Sequence, residues 1–416
     1  MYTVTDYRYH ERQKGTPLPA DNFCKTNASE PPQSNALECV APARVNLLGE
    51  HTDYSGGLVL PMAIPFFTHA TIRPRNDGLY TFTSELFPEI LSVDHADRSP
   101  ARGQWSDYPV GVLRQLQSLA KEPSPFDLRL SGNVPLSAGL SSSASVEVAS
   151  AIAMLALSRE ALPLEDLALL CRRAENDYVG SPCGIMDQFV IIAAQAGHAL
   201  LLDTRTLAYE NLPMKKGGLG DTQIVICNSM VKHSVATGEY GIRRRESEEG
   251  QAVLVNRFGI RDLGDATLEQ LEAVRSQISP AAFRRCRHII TENARVRASK
   301  DAMNAGDPVA FGKLMLGSHI SQRDDFQCSC DETDFLVETA TSLPGCFGAR
   351  LTGGGFGGCT VNLVRRGDAE AFRTALKSAY QQRFHRTAET YLCEAADGAW
   401  RCNADLLGAA APAGVQ

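Results

Sequence analysis

The sequence predicts an α+β protein of two domains. Strand-like and helix-like segments follow one another in mixed rather than strictly alternating order, which argues against a doubly wound parallel sheet. A polar, glycine-rich stretch, KKGGLGD at 215–221, separates two such series of segments. With 416 residues, 44% of them apolar, the chain is long enough to form two cores. We predict an N-terminal extension over 1–36, domains over 37–214 and 215–403, and a tail over 404–416.

In the first predicted domain, short strands precede three helices. The alternating segments HATIRP, GLYTFTS and DLRLSGNVP predict strands. The run SSSASVEVASAIAMLAL from Ser141 is small, apolar and free of helix breakers, so it predicts a buried helix. We expect a second helix over LEDLALLCRRAENDYV, a third beginning near Gly184 in CGIMDQFVIIAAQ, and then a strand in HALLLDTRT.

The second predicted domain opens with a strand in QIVICNS and continues through long amphipathic helices to about residue 340. A strand, a glycine loop and another strand are expected next, followed by a helix over 368–384. This order of elements again favours a mixed α+β arrangement.

Composition excludes several classes of partner and site. The net charge of −7 is spread along the chain without a polybasic run, so neither nucleic acid nor membrane is an expected partner. No apolar stretch approaches the roughly 18–20 residues that span a bilayer, and residues 1–35 lack a signal-peptide pattern. The twelve cysteines are scattered without a CxxC, which favours reduced thiols over disulfides or a zinc site. We expect a cytoplasmic monomer.

The segment PLSAGLSSSAS, residues 135–145, is a candidate phosphate-binding loop. A tight loop that enters a helix presents unpaired N–H groups and the positive end of the helix dipole, which suits a polyphosphate. Its serine hydroxyls can cap the helix, bond phosphate oxygens or ligate Mg²⁺. The loop is not a Walker A motif, because no GK[ST] follows. The alternative is a serine N-cap on an ordinary core helix.

A second segment, ARVNLLGEHTDY at 43–54, concentrates charged and polar side chains on a turn at Gly49. Several short-range donors and acceptors suit a polyhydroxylated ligand, whose hydroxyls need partners once they are desolvated. A charged surface loop is the alternative interpretation. The residues concerned are Arg44, Glu50, His51 and Asp53.

The third segment, RLTGGGFGGCTVNLV at 350–364, satisfies GxGxxG through Gly353, Gly355 and Gly358. We reject a dinucleotide-binding interpretation, because the residues that follow alternate as a strand, whereas that fingerprint opens a helix. Glycines between two strands instead predict close backbone approach to a neighbouring loop or to a ligand.

Asp187 lies in SPCGIMDQF, in the first turn of a predicted helix, where the helix dipole favours its ionised form. Its apolar context makes an unpaired carboxylate costly, and Arg44 is the candidate partner. The alternative is a carboxylate at a helix N-terminus without a chemical role.

Together these segments resemble the galactokinases, within the family of galactose, homoserine, mevalonate and phosphomevalonate kinases. APARVNLLGEHTDYSGGLVLP is similar to the galactokinase signature, PLSAGLSSSASVEV to the family's phosphate loop, and LTGGGFGGCTVNLV to its third motif. GSPCGIMDQF and HALLLDTRTL match the galactokinase pattern as well. The resemblance covers about residues 37–400.

The resemblance implies a ribosomal-S5-like N-terminal domain, a ferredoxin-like C-terminal domain and an active site between them. It implies transfer of the γ-phosphoryl group of ATP to the anomeric hydroxyl of galactose, with Mg²⁺. By matching position, Asp187 is the catalytic carboxylate and Arg44 its partner. The implied sugar-binding residues are Glu50, His51, Asp53, Gly184 and Tyr240. The implied metal ligands are Ser143 and Glu175. The implied ATP-binding residues are Trp105, Tyr108, Ser137, Ala138, Gly139, Leu140, Ser141, Ser142 and Ser143.

Two positions depart from the family pattern: Ala43 and Ser137 stand where glycine is usual, and either strains the backbone if a positive φ is needed there. Two alternative functions stay open from the sequence. One is an N-acetylgalactosamine kinase, and the other is a sensor that binds galactose and ATP without turnover.

Overall fold

A computed structural model describes residues 36–136, 138–232 and 236–402. The predicted ATP-binding residue Ser137, nearly all of the predicted extension and the predicted tail lie outside the described residues. The described chain forms two β-sheets flanked by helices, so the prediction of a mixed α+β protein is confirmed.

The strands and helices are numbered in chain order. The strands are β1 Leu37–Leu48, β2 Leu58–Pro74, β3 Leu79–Ser84, β4 Leu91–Asp94, β5 Phe126–Gly132, β6 His198–Asp203, β7 Tyr209–Pro213, β8 Thr222–Lys232, β9 Cys346–Thr352, β10 Gly357–Arg365, β11 Glu389–Cys393 and β12 Trp400–Cys402. The helices are α1 Asp107–Ser118, α2 Ser142–Leu157, α3 Leu164–Arg173, α4 Met186–Ala193, α5 Ala236–Phe258, α6 Leu268–Ala273, α7 Pro280–Asn304, α8 Pro308–Ser321, α9 Asp331–Ser342 and α10 Ala369–Phe384.

The first sheet runs in the order β12-β1-β2-β5-β3-β4, with β6 paired to β2 and β7 paired to β6. Its long β1–β2 ladder is antiparallel, whereas β3 and β5 are parallel. The apolar face of this sheet and the helices α1–α4 share one core, in which Phe82, Phe126 and Phe189 are fully buried. α2 lies in this core on almost every side, as its uninterrupted small and apolar sequence predicts.

The second sheet is antiparallel throughout, in the order β11-β8-β10-β9. The helices α9 and α10 cover one of its faces, and Val225, Leu336, Leu376 and Tyr380 lie between them and the strands. The strand, glycine loop and strand predicted near residue 350 correspond to β9, residues 353–356 and β10.

The glycine-rich stretch predicted as the domain boundary includes a short helical turn at Lys215–Leu219. In chain order it follows β7 of the first sheet and precedes β8 of the second. β12 differs from the predicted division. It lies within the range assigned to the second domain but pairs with β1 of the first sheet, Val40 opposite Trp400. The division of the chain at 214/215 stays a prediction.

No two of the cysteines with described side chains form a disulfide with each other. Across the described ranges, no helix is both long and apolar enough to cross a membrane.

We expect Gly312→Ala to destabilise the protein, because a Cβ at Gly312 in α8 would lie 1.9 Å from the carbonyl oxygen of Phe347 in β9. Overpacking of this kind reduces the free energy of unfolding by about 1–3 kcal/mol. Gly317→Ala in the same helix is the matched control, since its Cβ would meet Arg295 Cδ at an ordinary 3.6 Å. Urea unfolding measures both variants, and equal stabilities would contradict this view of the α8–β9 contact.

Candidate active site

An ion pair between the buried Arg44 of β1 and the partly buried Asp187 in the first turn of α4 forms the centre of the site. Arg44 Nε donates to Asp187 Oδ1 and Nη2 donates to Oδ2, each at 2.7 Å. Burial lowers the pKa of Arg44, but the charges of Asp187 and Glu50 outweigh it, so the guanidinium pKa is raised. The partner that the sequence predicted for Asp187 is therefore confirmed as its contact.

The candidate phosphate loop is tied directly to this ion pair. Arg44 Nη1 donates to the carbonyl oxygen of Gly139 at 2.7 Å, and the Arg44 amide donates to Leu140 O at 3.2 Å. Ser141, in the left-handed conformation with φ of 61°, immediately precedes α2. Its hydroxyl donates to Asp187 Oδ2 and does not cap the helix. The Asp187 carboxylate thus receives hydrogen bonds from both Arg44 and Ser141.

The third glycine motif packs against the phosphate loop. A Cβ at Gly353 would lie 3.2 Å from Gly139 O, and one at Gly358 would lie 3.5 Å from Ala138 O. Both glycines have a positive φ, of 86° and 76°, which residues other than glycine rarely adopt. The prediction of close approach to a neighbouring loop is confirmed, and so is the rejection of a dinucleotide fingerprint, because strand β10 follows the glycines.

Asp53 lies over Gly184, and only a glycine fits beneath it. A Cβ at Gly184 would lie 1.9 Å from Asp53 Oδ2, which also accepts a hydrogen bond from the Met186 amide at 3.4 Å. Burial, reinforced by the negative charge of Asp187, raises the pKa of Asp53 to about 6. Two of the predicted sugar-binding residues are therefore in contact beside Asp187.

His51 lies in an aromatic cluster with Tyr240, which the sequence also predicted to bind the sugar. The imidazole stacks on Phe326 with ring centroids 4.1 Å apart, and the Tyr240 ring centroid lies 5.5 Å away. Burial, with His288 and Arg350 nearby, holds the pKa of His51 well below its usual value. Within the described part of the chain, its buried Nε2 has no hydrogen-bond partner. A neutral imidazole with an unpaired nitrogen suits a ligand hydroxyl.

The carboxylate of Glu50 contacts the third glycine motif. Oε1 accepts hydrogen bonds from the Gly353 amide at 2.7 Å and from Thr352 Oγ1 at 3.1 Å, and lies 3.3 Å from Arg350 Nη2. Glu50 therefore connects the 43–54 segment to β9, a contact that the sequence did not predict. Its role in sugar binding stays a prediction.

A cavity of about 380 Å³ is lined by some of the residues predicted to bind ATP, but the described loop residues 138–141 are not part of its lining. Trp105, Tyr108, Ser142 and Ser143 all line it, and Trp105 lies parallel to Phe87 with ring centroids 6.1 Å apart. The exposed apolar side chains of Leu86 and Leu136 also belong to this lining, although the sequence did not single them out. A flat aromatic wall beside a helix N-terminus fits a purine ring with attached phosphates.

The hydroxyl of Ser143, one candidate metal ligand, lowers the pKa of the carboxyl of Glu175, the other candidate ligand. Gln188 Nε2 donates to Glu175 Oε2 at 2.8 Å and to Glu147 Oε2 at 3.0 Å. Burial, and then the charge of Asp187, raise the pKa of Glu175, and in the described ranges no cationic side chain forms an ion pair with it. A desolvated carboxylate of this kind, beside a hydroxyl, fits a hard cation such as Mg²⁺.

The sequence-based reasoning missed Glu147 and Gln188. A signal existed, because Glu147 is the one acidic residue in an otherwise small and apolar helix, and a buried carboxyl needs a polar partner. For the described residues, no group of three or more His, Cys, Asp or Glu side chains could hold a metal.

The condition under which Ala43 would strain the backbone, a positive φ, is not met. Ala43 lies in β1 opposite Ile64 and is absent from the residues with positive φ, so an alanine side chain causes no backbone strain there. Ser137, the other departure from the family pattern, lies outside the described residues.

Comparison with known families agrees with this arrangement. Residues 107–195 match the family described as GHMP kinases N terminal domain, and residues 299–382 match GHMP kinases C terminal. Residues 25–74 match the Galactokinase galactose-binding signature. A galactokinase of Roseiflexus sp. (strain RS-1) is 43% identical over 364 residues, which cover 87% of this chain and 92% of that protein. The chain belongs to the galactokinase family.

A second curated galactokinase, from Homo sapiens, is 43% identical over 372 residues, covering 87% of this chain and 91% of that protein. Among solved structures, the galactokinase of Lactococcus lactis complexed with galactose superposes with a TM-score of 0.84 at 34% identity, over 88% of this chain and 95% of that one. The mevalonate kinase of Methanococcus jannaschii, with a TM-score of 0.64 at 18% identity, shares the fold. The fold class expected from the galactokinase resemblance is confirmed.

The Asp53 carboxyl is expected to titrate near pH 6, and Asp187→Asn is expected to lower its pKa by removing a neighbouring negative charge. Carboxyl-¹³C NMR of aspartate-labelled protein measures this, with the signal assigned by its loss in Asp53→Asn. Asp166→Asn is the matched control, since Asp166 lies in the first turn of α3. A titration of Asp53 near its ordinary value of about 4 would contradict the described environment.

Proposed function

We propose that this chain transfers the γ-phosphoryl group of ATP to the anomeric hydroxyl of galactose, giving galactose 1-phosphate and ADP. The observation that carries this proposal is the placement of Asp187. Its carboxylate, held by Arg44 and Ser141, lies between the phosphate loop and the Asp53–Gly184 contact. A carboxylate between an anion-binding loop and a polar pocket suits proton transfer from a hydroxyl next to a phosphoryl donor.

Asp187 accepts the proton of the anomeric hydroxyl as that oxygen attacks the γ-phosphorus of ATP. The new phosphorus–oxygen bond forms while the bond to the β-phosphate oxygen breaks, and ADP leaves with its electron pair. Arg44 fixes the carboxylate through two parallel hydrogen bonds, which also orients it. Positioning and charge neutralisation are the main demands of phosphoryl transfer, and these contacts supply the positioning.

Ser143 and Glu175 would hold Mg²⁺, because Ser143 lines the cavity at the N-terminal end of α2 and its hydroxyl acts on the Glu175 carboxyl by lowering its pKa. When bound, the ion neutralises charge on the β- and γ-phosphates. Gln188 orients the Glu175 carboxylate by a hydrogen bond from its amide. The backbone of Ala138–Leu140 would contribute N–H groups to the phosphates.

Sugar selection is assigned to Asp53, His51 and Tyr240. An ionised Asp53 can accept hydrogen bonds from two adjacent hydroxyls and so distinguish the axial 4-hydroxyl of galactose. Gly184 leaves the space that this requires, since any side chain there overlaps Asp53. Cytoplasmic location and a monomeric state stay predictions.

The proposal is tested by ADP release from Mg·ATP with galactose, glucose, N-acetylgalactosamine and mevalonate. We expect turnover with galactose and none with mevalonate. Preferred turnover of N-acetylgalactosamine would instead indicate the related sugar kinase activity. Binding of galactose and ATP without ADP release would contradict the proposal and favour the sensor.

Asp187→Asn is expected to lower kcat by at least about 10²–10⁴-fold, since a general base contributes that much, while the Kd for ATP is retained. Arg44→Lys is expected to lower kcat as well, because a point charge cannot replace the bidentate guanidinium. Asp166→Asn serves again as the control at a helix first turn. Steady-state kinetics measure all three, and near-normal turnover in Asp187→Asn would refute the assigned proton acceptor.

A further inference from the structure

Three polar residues on α7, which we call the α7 seam, are buried although the helix surface is largely polar. His288 and Glu292 have no exposed surface and Asn293 is 1% exposed. His288 and Glu292 lie four positions apart and so share one face of the helix, and Asn293 directly follows Glu292. Buried polar groups of this kind require hydrogen-bond partners.

The partners are backbone groups of the loop between β1 and β2, which carries the candidate sugar-binding side chains. Glu292 Oε1 accepts from the Gly49 amide at 2.9 Å, and Asn293 Oδ1 accepts from the Leu58 amide at 2.7 Å. His288 Nε2 lies 3.1 Å from the carbonyl oxygen of Glu50. The seam therefore fixes both ends of the loop.

The seam itself is held by its surroundings. His288 Nδ1 lies 2.9 Å from Ser321 Oγ. Because Glu50 O can only accept, Nε2 carries a hydrogen, which a neutral imidazole protonated on Nε2 supplies. This agrees with a His288 pKa lowered to about 4, chiefly by burial. Glu292 also accepts from Ser318 Oγ and from Arg295 Nε, each at 2.6 Å.

The loop between β1 and β2 packs directly against α7, and no space is left for a side chain at Gly49 or Gly57. A Cβ at Gly57 would lie 2.6 Å from Asn293 Oδ1, and one at Gly49 would lie 3.2 Å from Val296 Cγ2. The described lining of the nucleotide cavity, in contrast, contains residues no later in the chain than Val179. A change in the seam thus acts on the sugar loop and not on the nucleotide cavity.

We propose that His288, Glu292 and Asn293 are positioning residues that set the affinity for the sugar by fixing the backbone of the Gly49–Leu58 loop. They place His51 and Asp53 without touching the sugar themselves. This inference rests on the proposed function, because it takes galactose as the ligand of that loop.

The test compares the Kd values for galactose and for ATP by titration calorimetry, together with KM and kcat. Asn293→Ala and His288→Leu each remove one hydrogen bond to the loop, which is expected to raise the Kd and KM for galactose about tenfold. The Kd for ATP is expected to change by less than about twofold. His288→Gln, whose amide can still donate to Glu50 O, is expected to restore most of the galactose affinity.

Ser299→Ala is the matched control. Ser299 is fully buried in the same helix, but its hydroxyl donates to Val296 O of α7 at 2.7 Å and not to the loop. We expect this variant to bind galactose as the unmodified chain does, even where its Tm falls. The midpoint of thermal unfolding, measured for all variants, separates loss of stability from loss of sugar affinity.

Unchanged galactose affinity in both His288→Leu and Asn293→Ala would overturn the inference. So would a parallel loss of galactose and ATP affinity, or a Ser299→Ala variant as weak as the seam variants. If Asn293→Ala does not fold, the comparison of His288→Leu with His288→Gln tests the inference by itself. Only a positioning role predicts that glutamine restores the galactose affinity that leucine removes. An unmodified chain that neither binds nor phosphorylates galactose would instead refute the proposed function itself, and this inference with it.

Discussion

The ion pair between Arg44 and Asp187 is the interaction on which the rest of the site depends. One guanidinium holds the Asp187 carboxylate with two nitrogens and the phosphate loop, at Gly139 O, with the third. It thereby joins β1, α4 and the residues before α2, which are far apart in the sequence. Buried ion pairs add little net stability, because desolvating each ion costs several kcal/mol. The pair is therefore better explained by the orientation that it gives to a reactive carboxylate than by its contribution to folding.

The second constraint is that segments of the site approach each other too closely for a side chain to fit between them. Glycine residues satisfy it at two contacts. Gly353 meets Gly139 where the third motif reaches the phosphate loop, and Gly184 lies beneath Asp53. At Gly184 even a methyl group would overlap the carboxylate. Conformational freedom is not the reason there, since Gly184 is absent from the residues with positive φ. The requirement is for space, which explains why a glycine is needed in a segment of otherwise ordinary backbone.

Much of the fold and the site could be predicted from the sequence, because motifs and periodicity are local. They located α2, α4, the glycine loop between β9 and β10, and the Arg44–Asp187 partnership. Contacts between distant segments could not be predicted in the same way. The sequence predicts long amphipathic helices in the region of α7, but it does not indicate that Asn293 accepts a hydrogen bond from the Leu58 amide. Likewise nothing local indicates that β12 returns to pair with β1 or that Glu50 accepts from Gly353.

The two proposed substrate sites draw on different parts of the chain. In the described residues, the nucleotide cavity is lined from Thr68 to Val179, all within the first half. The loop that carries His51 and Asp53 is also part of the first half, but its backbone is bonded to α7, and Glu50 is bonded to the third glycine motif. The proposed sugar pocket is therefore complete only when the second half is packed against the first, whereas the second half reaches the proposed nucleotide site only at the phosphate loop, through Gly353 and Gly358. Arg44 contacts the phosphate loop and Asp187 adjoins the loop that carries Asp53. Their ion pair therefore connects the proposed nucleotide site to the proposed sugar site.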